Sequence, residues 1–293
     1  MSDMTAEGPP VRGAPETIDV ERRRWMFRHP AIIRLCHWIN VACMTVLLMS
    51  GLQIFNAHPA LYWGSVSTFD HPWAMIGADS DADPPKGVAT VAGHSFATTG
   101  VLGLSSDGQG DVAERGFPRW STLPADQDLA TGRRWHFFFA SVFVINGAIY
   151  LLYGVASGQF RARYVPTGGQ LRHIGNSIKE HLLLRFGEGE EAKRYNVIQK
   201  LTYLVVVLGL IPAQILAGLA MSPAMNSAAP WLLDLFGGRQ SARTVHFIIA
   251  TLLVLFVLVH VLLVIVSGPI NNMRGMISGW YVFDRRRRTQ PHA

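Results

Sequence analysis

Residues Thr244 to Ser267 read TVHFIIATLLVLFVLVHVLLVIVS, a run without a single lysine, arginine, aspartate or glutamate. A bilayer core about 30 Å thick needs about 20 apolar residues in a helix, so this run can cross one. Three further runs have membrane length: about Ala31 to Phe55, about Trp135 to Ser157 and about Val197 to Met221. The remainder of a 293-residue chain is hard pressed to cover four such helices with protein. The expected fold is therefore all-α, an integral membrane four-helix bundle over residues 31–268. Only 16% of the residues are charged, against about 25% in a typical soluble domain. The same scarcity of charge excludes a disordered chain. Two cysteines exclude a disulfide scaffold. No apolar stretch with a small-residue cleavage site precedes the first span, which is expected to act as an uncleaved anchor.

The formal net charge is +6, a balance that could point to nucleic acid. Its distribution points elsewhere. Of the 26 lysines and arginines, six lie in the arm through Cys36, eight from Arg161 to Lys200 and five after Ser267, nineteen in all. The other two connections hold seven. Lysine and arginine favour the cytoplasmic side. The arm (1–30) and the basic tail (269–293) are thus both expected in the cytoplasm, with the bundle in a bacterial inner membrane and no nucleic-acid partner. The loop over residues 56–134 then faces the periplasm. It is rich in Gly, Pro, Asp and Ser, and reads as an irregular, partly ordered cap. Inside, Leu171, Ile174, Ile178, Leu182 and Phe186 recur at near-helical spacing, which predicts an amphipathic helix over 170–186 resting on lipid.

Four histidines fall within the spans: His37, His136, His246 and His260. Ionisable groups in a bilayer are expensive and usually functional. His246 and His260 are fourteen residues apart, a rise of about 21 Å and a rotation about 40° short of four turns, so they leave nearly one helix face at two depths. Chain direction puts His37 at the depth of His260, toward the inside, and His136 at the depth of His246, toward the outside. Zinc wants three or four ligands per site. A pair of trans imidazoles suits haem iron, whose other four ligands come from the porphyrin. Two b-type haems stacked across the bilayer would form an electron path, with His37 and His260 on the inner iron and His136 and His246 on the outer. Gly51, Gly147, Gly154 and Gly218 are candidates for admitting the flat macrocycle, or else for close helix packing. Arg34, Arg133, Arg134 and Arg243 stand near the ligands, where they could pair with haem propionates or mark span ends. No CxxCH, GxGxxG or iron–sulfur cysteine cluster is present, so substrate chemistry is expected on a partner.

The stretches RHPAIIRLCHW, GRRWHFFFA, RYNVIQKLTY and ARTVHFIIATLLVLFVLVHV resemble the bacterial di-haem cytochrome b family, over about Arg28 to Gly279. That family includes membrane subunits of Ni,Fe-hydrogenase, formate dehydrogenase and thiosulfate reductase, and FPRWSTLP is similar to the last branch. The resemblance implies two b haems and quinone exchange near the inner one, at Asn196, Gln199 and Lys200. It further implies an electron-transfer subunit between the quinone pool and a periplasmic molybdopterin oxidoreductase or hydrogenase. The segment from Asp79 to Gly110 departs from the family pattern. Two other readings stay open: a stand-alone transmembrane cytochrome b oxidoreductase acting on a small diffusible redox substrate, and a transporter or anchor with structural histidines.

Overall fold

The computed structural model describes residues 23–158, 160 and 197–284. Asn196, the predicted helix at 170–186 and most of the two termini lie outside the described residues. Strand β1 (Arg23–Phe27) leads into α1 (Ala31–Asn56), and α2 spans Leu129–Ala156. The third long helix, α3, spans Val197–Ala220. Two single-turn helices, α4 (Pro223–Ala228) and α5 (Pro230–Leu235), connect it to α6 (Arg239–Val266), and α7 (Pro269–Ser278) follows. The chain is a multi-pass membrane protein: α1, α2, α3 and α6 are each long and apolar enough to cross a bilayer. α2 begins six residues and α6 five residues before the expected starts, because both helices project beyond their apolar runs. α2 is capped by Asp128, whose carboxylate accepts the Thr131 backbone N–H at 3.0 Å. α3 opens into a wide π-helical turn at Val205–Leu210. Pro212 explains it: without an N–H it cannot bond the carbonyl one turn back.

α1 packs on α2, and α3 on α6. Val206, Ile249 and Leu253 form the buried seam of the second pair, and Met44 reaches it from α1. Ala220 and Ala242 let α3 and α6 close tightly at the other end. Much of the remaining apolar surface is exposed, including Phe137, Phe138 and Leu152 on α2 and Leu255, Leu258 and Leu262 on α6. In water such a surface would aggregate, whereas lipid is its solvent.

Residues 56–134 are not the irregular cap expected. They hold a four-stranded antiparallel sheet in the order β2 (Ala60–Leu61), β3 (Ala74–Asp79), β4 (Lys86–Val91) and β5 (His94–Ala97). A separate hairpin joins β6 (Gly103–Ser106) to β7 (Val112–Arg115). β4 and β5 are joined by Ala92 and Gly93, at φ 50° and 82°. Positive φ at both positions is the two-residue turn whose twist matches a hairpin. The strands have two to six residues, too short for alternation to stand out. The fold is thus mostly helical rather than all-α.

The cap is tied to the helix ends. Asn56 donates to the Phe117 carbonyl at 3.1 Å and accepts the Phe117 N–H at 2.6 Å. Arg115 is buried and donates to the Phe117 and Ala125 carbonyls and to Thr122 Oγ1. The Gly64 carbonyl accepts the Gln240 and Ser241 backbone N–H groups at 3.0 and 3.1 Å, which satisfies donors that α6 leaves free at its start. Thr244 donates to the Tyr62 carbonyl at 2.6 Å. At the opposite end, β1 pairs antiparallel with β8 (Trp280–Asp284), so the arm and the tail meet in one ribbon.

Candidate haem sites

The four intramembrane histidines meet in the two pairs that their depths predict. His37 of α1 faces His260 of α6 with ring centroids 6.4 Å apart. His136 of α2 faces His246 of α6 at 6.3 Å. Two trans imidazole nitrogens about 2.0 Å from one metal, each about 1.1 Å from its ring centre, set the centroids about 6.2 Å apart. Both pairs fit that span. Among the described residues no group of three or more His, Cys, Asp or Glu could hold a metal ion, so a donor set of two imidazoles needs a group that brings its own equatorial ligands. Haem is such a group.

The outer pair is held in orientation. His246 Nδ1 lies 3.0 Å from the Gln214 carbonyl and can only donate to it, which leaves Nε2 as the lone-pair nitrogen. Gln214 Nε2 lies 3.1 Å from that Nε2, while Gln214 Oε1 is buried without a partner. His136 Nδ1 lies 3.1 Å from Ser50 Oγ. Fixing one imidazole nitrogen so that the other is presented is the usual support of a metal-binding histidine. Two of the four singled-out glycines belong here. A Cβ at Gly51 would sit 3.3 Å from His136 Cε1, and one at Gly218 would sit 3.2 Å from His246 Cε1. They make room for the two imidazole rings. Gly154 lies against Phe160, and a Cβ at Gly147 would meet nothing within 4 Å.

The inner pair is supported by aromatics and amides. Phe256 stacks on His260 with centroids 6.1 Å apart, and Tyr203 meets Phe256 edge-on at 6.4 Å. Asn146 of α2, 4% exposed, donates to the Cys36 carbonyl at 2.8 Å and to Asn40 Oδ1 at 2.7 Å, beside His37. Sequence reasoning passed over Asn146, Asn40, Gln214 and Tyr203. The signal available was the rarity of amides inside apolar runs.

The singled-out arginines divide. Arg34 donates to the Ile277 carbonyl, and its Nε is buried with no partner. Arg243 donates to the His58 carbonyl at 2.5 Å and lies over the Phe55 ring. Arg133 lies over Phe137 at 5.6 Å, and Arg134 is exposed in the second turn of α2. A guanidinium has five donors, so one carbonyl partner leaves Arg34 and Arg243 able to hold a carboxylate as well. Gln199 and Lys200 lie in the first turn of α3, with Lys200 only 7% exposed. Just outside the outer pair, His58 stacks on Tyr62 and shares a 3.1 Å hydrogen bond with its hydroxyl. Burial, and secondarily the Arg243 guanidinium, hold its imidazole below the ordinary histidine value.

Four membrane helices that bring histidines face to face in two layers define a membrane cytochrome b, an electron carrier whose redox centre is b-type haem. Comparison with known proteins gives the same class independently. Residues 28–279 match the prokaryotic cytochrome b561 family, and the chain belongs to it. It is also 27% identical, over 80% of its length and 89% of the relative's, to YedZ1 of Azospira oryzae, named provisionally as a protein-methionine-sulfoxide reductase subunit. No solved structure matches the chain significantly.

Proposed function

We propose that the chain is the di-haem subunit that carries electrons between the quinone pool and a periplasmic oxidoreductase. The observation that carries this reading is the pair of facing histidine couples, His37 with His260 and His136 with His246, spaced for one iron each. Bound haem supplies reversible one-electron chemistry. His37, His260, His136 and His246 would hold it, the Gln214 carbonyl fixes the His246 ring, and packing excludes water. Arg34 at the inner layer and Arg243 at the outer are the residues suited to propionates, with Arg133 and Arg134 at the start of α2 as further candidates.

Quinone exchange belongs at the start of α3, near the inner couple. Gln199 and Lys200 offer an amide and an ammonium for the two carbonyls, and in the sequence Asn196 stands three residues before Gln199. Tyr203 and Phe256 form an aromatic bridge from this turn to His260. The relative's name favours a partner of the methionine-sulfoxide reductase kind, while the likeness to thiosulfate-reductase and hydrogenase subunits suggests a molybdopterin oxidoreductase or a hydrogenase. Docking is assigned to residues 56–134. The part of it bonded to α6 near His246 is the segment from His58 to Gly64, which includes β2.

The test uses the haem-loaded protein in vesicles. Adding quinol should reduce the haems, and Lys200→Met should slow that reduction about tenfold, the value of one charged hydrogen bond. Dithionite should still reduce every haem in the variant. Equal quinol rates in both proteins would remove the quinone role from this turn.

A further inference from the structure

The end of the molecule that carries His37 and His260 has a feature that electron transfer leaves unused. α7 leaves α6 at Gly268 and lies against the start of α1. Trp38 Nε1 donates to the Met276 carbonyl at 3.1 Å, and Arg34 donates to that of Ile277. The chain then reverses at Gly279, whose φ is 88°, and a Cβ there would be 2.9 Å from the His29 carbonyl oxygen and from Phe27 Cε2. Only glycine fits so tight a reversal. It sets β8 beside β1, with Trp280 edge-on to Phe27 at 5.5 Å.

A cavity of about 450 Å³ opens where these elements join, lined by Trp25, Arg274, Ser278 and Trp280. The Arg274 guanidinium lies 5.6 Å from the Trp25 ring centre. Among the described residues no carboxylate pairs with it. Apolar surface is open at this end: Trp25, beside the guanidinium, is 61% exposed, and Ile277, also on α7, is 63% exposed. The ribbon also gathers charge. Arg23 and Asp284 are register partners at one end of it.

We infer that this cavity is a binding site for an anionic phospholipid, its phosphodiester on Arg274 and its acyl chains along Trp25, Phe27 and Ile277. Tryptophan and arginine at the end of a membrane helix sit at the headgroup level. In the sequence, the basic runs Arg22–Arg24 and Arg285–Arg288 border the two strands of the ribbon, and such runs favour an anionic over a zwitterionic headgroup. A free inorganic anion would gain nothing from the indole and aliphatic walls. The site shares α7 with the clasp on α1, so an occupied site braces the helix that carries His37.

The test is native mass spectrometry of the full-length, haem-loaded protein in neutral detergent. It is titrated with phosphatidylglycerol, with phosphatidylcholine, and with phosphatidylglycerol in the presence of inorganic phosphate. Saturable phosphatidylglycerol binding is expected, with phosphatidylcholine weaker. Arg274→Gln should weaken it about fivefold, in line with one arginine at a membrane surface. A combined Arg285–Arg288→Gln variant changes nothing in the bundle; it should also lower affinity, and it carries the comparison if Arg274→Gln loses haem. Equal binding of both lipids would overturn the proposal. So would full displacement by inorganic phosphate, or an affinity unchanged in both variants.

Discussion

His260 and His246 stand on one helix and face different partners, so they can be separated by substitution. His260→Ala should leave one b haem of two, with His136 and His246 untouched, and His246→Ala should do the converse. A pyridine haemochrome assay against protein concentration reads the count directly, and loss of both haems from either variant would break the pairing. The glycines give a finer test. Gly218→Val puts a Cβ only 3.2 Å from His246 Cε1, a tight contact, and adds two methyl groups beyond it. Such overpacking costs about 1–3 kcal/mol, so the outer haem should be lost or its absorbance band shifted. Gly147→Val, where a Cβ meets nothing within 4 Å, should change neither haem. The facing of the histidines in two pairs was legible in the sequence. A fourteen-residue spacing on a helix is a geometric statement that survives folding unchanged. The polar groups that steady them were not. Asn146 and Cys36 are 110 residues apart, and no local period links them.

At the scale of elements, the helices were readable because hydrocarbon demands a long apolar run, and the starts of α2 and α6 were not because caps lie outside it. Asp128 shows why: it caps α2 seven residues before the apolar stretch, and the Thr131 hydroxyl and backbone N–H hold its carboxyl below the usual carboxylate range. The sheet of the cap was missed for another reason. Its strands are short, and the Ala92–Gly93 turn lacks the Asn-Gly or Asp-Gly pair that announces a hairpin. The cap should also respond to pH. His58 has a folded-state pKa below its unfolded one, so the folded state binds fewer protons, and stability is lost as pH falls below the unfolded value of about 6.5. Amide exchange at Tyr62 and Trp63 should therefore accelerate between about pH 7 and about pH 5. His58→Gln should flatten that dependence, and an unchanged slope would show that another group controls it.

The whole molecule is a membrane bundle with a folded cap at one end and the β1–β8 ribbon at the other. Nineteen of 26 basic residues in the arm, the 161–200 connection and the tail predict that both termini face the cytoplasm. A reporter active only in the periplasm should be silent when fused at Ala293 and active when inserted between Asp79 and Gly110, and the opposite pattern would invert the molecule. Orientation decides which redox partner each iron can meet, but every part of the account presupposes two irons. The most direct measurement is therefore the haem content of the purified full-length chain, by pyridine haemochrome spectrum with an independent protein assay. The account predicts two b-type haems per chain. One haem, none, or a c-type spectrum would contradict it.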